Sequence, residues 1–176
     1  MQEGAISMRL KSTSVAIHVA QGCGALLAVA LTPGNALAQA RTEQTVLMSA
    51  NPRERAGQEQ YGYASAVIAG GMIYVSGVVV GQGPGEADLV PGYERAFDQI
   101  EATLKRMGAT LDDVVEMTSF HTDITAQIDL LSTVSKRRLK GQPPAWTAID
   151  IDRLLPDQGL TEIKIVAYRP GAAPVK

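Results

Sequence analysis

Apolar and polar positions change their period several times along this chain, and each change marks an element. Between residues 63 and 81, "YASAVIAGGMIYVSGVVVG" holds two apolar, β-branched runs around Gly70 and Gly71. Two such runs with glycines between them predict a β-hairpin. "GQGPGEADLVPG", residues 81–92, is a loop by composition. Beyond it, Tyr93, Ala96, Phe97, Ile100, Leu104 and Met107 recur at helical spacing, with Glu94, Arg95, Asp98, Glu101, Lys105 and Arg106 mostly elsewhere. Gly108 is placed to end that helix in a left-handed conformation. "VVEMTSFHT", residues 114–122, predicts a strand. Residues 124–139 predict a second helix with Ile128, Leu131 and Val134 inward, ended by Gly141, Pro143 and Pro144. Two strands, 146–151 and 162–168, close the chain ahead of a flexible tail, 171–176. The expected order is β-β-α-β-α-β-β, one α+β domain without internal repeats.

The run "MIYVSGVVV", residues 72–80, is apolar at both parities apart from Ser76 and Gly77. A strand apolar on both faces needs cover on both sides. Two helices cover only one, so a second copy of the chain is expected over the other. In the strand 146–151, alternation separates Trp146, Ala148 and Asp150 from Thr147, Ile149 and Ile151. The second set is expected to face the helices, which turns Trp146, the only tryptophan, to the opposite, inter-subunit face.

The first forty residues follow a different logic. Arg9 and Lys11 precede a weakly apolar stretch, 15–31, then Pro33 and Gly34, then small residues at Ala36, Ala38 and Ala40. That order predicts a signal peptide cleaved after Ala38 or Ala40, with Met8 as an alternative start. His18 and Gln21 interrupt the apolar stretch, leaving too little to span roughly 30 Å of hydrocarbon. The expectation is an exported protein, periplasmic or secreted, without stable membrane insertion of the mature chain. Residues 41–60 read as a polar lead-in with room for one edge strand, ahead of a domain over 61–170.

Cleavage would remove Cys23, the only cysteine, and leave His121 as the only histidine. That excludes a cysteine nucleophile, a His-based triad and a multi-histidine zinc site, so no metal is expected. The net charge is −2, and the one basic cluster, Lys136, Arg137, Arg138 and Lys140, falls at a helix end. Nucleic acid is therefore not an expected partner. The glycines of 81–92 lack phosphate-loop spacing.

Four stretches in order carry a resemblance: "YASAVIAGGMIYVSG", "GATLDDVVEMTSFHTDI", "PPAWTAIDIDRL" and "TEIKIVA". Together they resemble the Rid family of reactive-intermediate (enamine/imine) deaminases, also called RidA/YjgF, from about Tyr61 to Tyr168. The resemblance implies a chorismate-mutase-like, YjgF-like α+β fold: a mixed sheet with two helices on one face. It also implies a homotrimer whose sheets line a central barrel, with small-molecule clefts between subunits. Deaminating members hydrolyse imines and enamines to 2-oxo acids and ammonia without metal or cofactor.

Carried over by position, Glu162 matches the acidic residue that orients the attacking water. Tyr63 matches an aromatic cleft residue, and Ser76 and Gly77 match a strand-end pair that contacts the ligand. The family's carboxylate-binding arginine falls at Trp146, where "PAR" becomes "PAW". An indole has one N–H donor and no charge, so it cannot reproduce a guanidinium fork on a carboxylate. Each position also has a plain structural reading. Tyr63 can cover the hairpin edge, Ser76 and Gly77 can form a bulge, and Glu162 can pair with Lys164. Trp146 can pack a trimer or wall a cleft. Two functions follow: a cofactor-independent imine/enamine hydrolase, or a non-catalytic homotrimer binding a small apolar or aromatic molecule in a Trp-lined cleft. Ribonuclease activity, attached to some family members, fits the acidic balance poorly.

Overall fold

The computed structural model describes residues 41–171, so the expected signal peptide and most of the expected tail lie outside the described residues. The elements are β1 (Val46–Leu47), α1 (Pro52–Tyr61), β2 (Ala66–Ala69), β3 (Met72–Val80), α2 (Val90–Arg106), a 3-10 turn (Leu111–Asp113), β4 (Val114–His121), α3 (Ile124–Arg138), β5 (Ala145–Asp150) and β6 (Thr161–Tyr168). They form one mixed sheet in the order β1-β2-β3-β6-β4-β5. Only β4 and β5 are parallel; the last strand, β6, inserts between β3 and β4, antiparallel to both.

The hairpin expected around Gly70 and Gly71 is β2–β3, paired from Ala66↔Val75 to Ala69↔Met72. Both turn glycines take positive φ, 58° and 81°, which a side chain would resist and a tight hairpin turn requires. Helix α2 buries the expected face: Tyr93, Ala96, Phe97, Ile100 and Leu104 lie in one core with Ile73, Val75, Val78, Val80, Ile163 and Ile165. Leu131 and Val134 of α3 join the same core, so α2 and α3 cover one face of the sheet. Ile128 is only half-buried, and Gln127 takes the buried place at that turn. Gly108 follows α2 with φ 76°, as its position suggested.

The polar segment 41–60 is more than a lead-in. It supplies β1 and most of α1, a helix that hydrophobic spacing does not announce because it has no apolar stripe. Its ends hold it: the Asn51 side chain accepts from the Arg53 N–H, Pro52 fills the first turn, and Gly62 closes it at φ 71°. Its one buried side chain, Gln58, accepts from the Ser49 N–H at 2.8 Å and donates to Ser65 Oγ at 2.8 Å. Those two bonds clamp α1 across the entry to the hairpin.

Strand β5 faces the other way from the expectation. Its register pairs Trp146 with Met117, Ala148 with Ser119 and Asp150 with His121. Met117, Ser119 and His121 are all buried on the helix side. Asp150 Oδ1 accepts the Ile124 N–H at 3.0 Å, capping α3. Trp146 therefore faces α3, while Thr147 and Ile149 face the open side of the sheet. The alternation rule assigned the more apolar set to the helices, but here the helix side is lined by polar groups that satisfy one another.

Candidate active site

Glu162 stands on β6, the central strand, where alternation sends Thr161, Ile163, Ile165 and Ala167 into the core and Glu162 and Lys164 to the open face. Its cross-strand neighbours are Val79 and Phe120, both half-buried and apolar. Desolvation by this half-buried setting pushes the Glu162 carboxyl above its ordinary range. Among the described residues neither Glu162 nor Lys164 makes an ion pair, so the reading in which they pair with each other is not realised.

Beside Glu162, opposite Lys164, β3 bulges. Val75 pairs with Ile165 and Val78 with Ile163, so β3 spends one more residue than β6 over this stretch. The extra residue falls at Ser76-Gly77. A Cβ on Gly77 would sit 1.7 Å from Glu162 Oε1, 2.4 Å from its Cδ and 2.7 Å from its Cγ. Here glycine is required for space: the Glu162 side chain lies directly over the bulge. Ser76 fastens the bulge to the preceding segment, its N–H donating to Ser65 O at 2.9 Å and its Oγ to Ala64 O at 2.6 Å. Tyr63 begins that segment and stays about half exposed, 49%.

Tyr63, Ser76 and Gly77 line one cavity of about 780 Å³. Glu162 is tied to it through Gly77. Four of the five expected site residues thus come together within one chain. The fifth, Trp146, does not: β4 separates its strand from β6, and it faces the helix side rather than the face of Glu162. The same cavity contains a residue the sequence reading passed over, Arg106, half-buried with one Nη donating to Met48 O at 3.1 Å. It has no carboxylate partner among the described residues. In sequence Arg106 is one more polar residue off the apolar stripe of its helix, with nothing to distinguish it.

Behind the sheet runs a buried polar chain. Trp146 Nε1 donates to Ser119 Oγ at 2.9 Å, Ser119 Oγ meets His121 Nε2 at 2.8 Å, and His121 Nδ1 meets Gln127 Oε1 at 3.2 Å. Thr161 Oγ1 donates to Gln127 Oε1 at 3.0 Å and meets Tyr93 OH at 2.9 Å. Gln127 Oε1 can only accept, so His121 carries its proton on Nδ1 and accepts from Ser119 at Nε2. Burial lowers the His121 pKa, against weaker support for the charged form from Gln127 and Asp150. Ser119 and His121 are fully buried. Every polar atom is satisfied, which makes the pair a brace rather than a nucleophile and base.

Among the described residues, no cluster of three His, Cys, Asp or Glu side chains could hold a metal ion, and no helix is long and apolar enough to cross a membrane. Residues 54–169 match the family described as Endoribonuclease L-PSP. The chain belongs to this family, the Rid/YjgF family. It is 36% identical over 115 residues to the RutC family protein YjgH of Escherichia coli, covering 63% of this chain and 86% of YjgH. A RutC family protein of Pyrococcus abyssi is 29% identical over 111 residues, covering 61% and 86%. Among solved structures, protein YJGH superposes with a TM-score of 0.60 at 32% identity, covering 73% of this chain and 98% of its own. A Mycobacterium tuberculosis member of the YjgF/YER057c/UK114 family gives 0.61 at 27% identity, covering 71% and 98%. The α+β, YjgF-like fold is therefore the fold of this Rid/YjgF member.

Proposed function

We propose that this Rid/YjgF member is a cofactor-independent hydrolase of small imines and enamines, with Glu162 as the group that manages the water. The observation that supports this most is the seating of Glu162: desolvated, unpaired and aimed over a glycine bulge. A carboxyl raised toward the working pH is suited to take a proton from water and give it back. As water oxygen bonds to the C=N carbon, Glu162 accepts the water proton and the π pair goes to nitrogen. The proton then passes to that nitrogen to give the carbinolamine, whose hydroxyl proton is next transferred to the amine as the C–N bond breaks, leaving a carbonyl and ammonia. Tyr63, Ser76 and Gly77 line the space beside it. The apolar open face, with Tyr74, Ile149 and Tyr168 exposed, supports a homotrimer in which this face is covered and the site is closed by a neighbouring copy.

A ribonuclease reading has less support. Arg137 and Arg138, the obvious phosphate contacts, are engaged by Glu94, Asp98 and Glu101 of α2. Export is proposed on the residues before 41, the cationic start and the small residues at Ala36, Ala38 and Ala40. N-terminal sequencing of the protein from a periplasmic fraction tests it, and an intact N-terminus there refutes cleavage.

The activity test generates imines with an amino-acid oxidase and follows their decay with and without protein. Acceleration by the wild type that is lost in Glu162→Gln supports the proposal. No acceleration across neutral and acidic amino acids overturns it.

A further inference from the structure

Among the described residues the Glu162 carboxylate makes no side-chain hydrogen bond and no ion pair. Its cross-strand neighbours on the open face, Val79 and Phe120, are apolar, and Lys164, two residues along the same strand, is not paired with it. Its position over Gly77 is therefore inherited from its backbone. That backbone borders a break in the sheet. The β3–β6 pairing steps from Val75↔Ile165 to Val78↔Ile163, so Ser76 and Gly77 together oppose Lys164. A bulge interrupts the ladder locally, and β6 has fewer bonds there to fix it against β3.

The missing hold comes from the other face. Thr161 stands one residue before Glu162, points to the helix side and is fully buried. Its Oγ1 donates to Gln127 Oε1 at 3.0 Å, which leaves that oxygen to accept from Tyr93 OH at 2.9 Å. Two helices thus hold β6 at a single atom, α2 through Tyr93 and α3 through Gln127. Gln127 is itself fixed: its Oε1 meets His121 Nδ1 at 3.2 Å, and its Nε2 donates to Thr122 Oγ1 at 3.2 Å. Leu160 completes the attachment, its N–H donating to Val80 O at 2.8 Å and its carbonyl accepting the Thr122 N–H at 3.0 Å.

A valine would fill the same space at position 161 without a buried hydroxyl to desolvate. What the hydroxyl adds is direction, because a fully satisfied buried network specifies one arrangement of the elements that share it. The structure assigns Thr161 as a positioning residue for Glu162: gripped by Tyr93 and Gln127, it sets where β6 lies beside the bulge and so where the carboxylate meets Gly77. The assignment rests on the reading of Glu162 as the group that manages the water, while the seating of the carboxylate is measurable without that reading.

Thr161→Val keeps the shape and removes the bond; Thr161→Ser keeps the bond. The valine variant leaves no partner stranded, since Gln127 Oε1 retains His121 and Tyr93 OH retains Gln127 O at 3.4 Å. Its melting temperature should fall by only about 3–6 °C, the scale of one buried hydrogen bond. In the intact protein, imine decay is measured beside the titration of the Glu162 carboxyl carbon by NMR, with the signal assigned through Glu162→Gln. Thr161→Val should lower kcat about ten-fold with KM altered by less than about two-fold, as expected when a reacting group is misplaced and substrate binding is not. The Glu162 titration should move down toward the ordinary carboxylate range as the group leaves its half-buried seat. Thr161→Ser should restore both readouts. A Glu162 titration unmoved by Thr161→Val overturns the assignment, and so does a serine variant that loses as much as the valine one. The two readings fail separately: a wild type without imine activity removes the hydrolase, and the carboxyl titration of the two variants still decides the seating.

Discussion

The carboxylate of Glu162 occupies the space that a β-carbon on Gly77 would need, with Oε1 only 1.7 Å from that position. The bulge and the carboxylate are one device. Gly77→Ala should force Glu162 aside without straining the backbone, since Gly77 does not adopt positive φ. The displaced group is a flexible side chain on the open face, so stability should change by less than about 1 kcal/mol. Imine hydrolysis should nevertheless fall by about ten-fold or more, because a misplaced base loses its geometry. Parallel melting and imine-decay measurements check this; equal loss of both would mean the bulge serves folding alone.

Glu162→Gln should reduce hydrolysis by about 10²–10⁴-fold, the usual contribution of a positioned acid–base group. Its stability effect has a definite sign. Burial raises the folded-state pKa above the ordinary 4.5, so the folded state holds the proton more tightly than the unfolded chain. That stabilisation is complete below the unfolded value and is lost as pH rises through the folded one. Relative to wild type, the glutamine variant should therefore gain melting temperature as pH rises above 4.5. A difference independent of pH would count against the desolvated carboxyl.

His121 should act in the opposite direction. Burial lowers its pKa below 6.5, so the unfolded chain takes up a proton more readily than the folded protein. Its contribution is intact above about 6.5 and is lost as pH falls through the folded value. The wild-type melting temperature should drop on acidification across that window, and a non-titrating His121→Gln variant should show a shallower slope there despite lower stability throughout. Melting curves of both proteins at a series of pH values decide it.

Gln58→Ala should cost about 1–3 kcal/mol, because it leaves the buried Ser49 N–H without its acceptor and frees Ser65 Oγ. The loss should be local. Hydrogen exchange should accelerate in α1 and residues 63–65 before the core strands, and Tyr63 should lose its fixed place beside the bulge. Uniform acceleration over the whole sheet would refute a clamp confined to this corner.

Much of the fold was legible because burial writes a period into the sequence. The stripe from Tyr93 to Met107 named the buried face of α2, and the paired glycines named the hairpin turn. Helix α1 was not legible that way. It buries one glutamine and is held by its caps, so the available signal was Asn51-Pro52 and Gly62 rather than any apolar spacing. Trp146 was misread for a related reason. Periodicity shows that a strand has two faces, yet the side toward α3 is lined by Ser119, His121 and Asp150, whose polarity is met by hydrogen bonds, Ser119 with His121 and Asp150 with the Ile124 N–H.

Sequence alone determined the α+β class, the hairpin and the two core helices. Those follow from local propensity and from which positions must leave water. The tertiary structure decided what meets what: the insertion of β6 beside β3, the bulge that lays Glu162 over Gly77, and the turn of Trp146 away from that carboxylate. Such relations depend on strand order and register between segments far apart in the chain, Met72 and Tyr168 by 96 residues and Gly77 and Glu162 by 85. No local pattern encodes a register; only the joint packing of the sheet against α2 and α3 selects it.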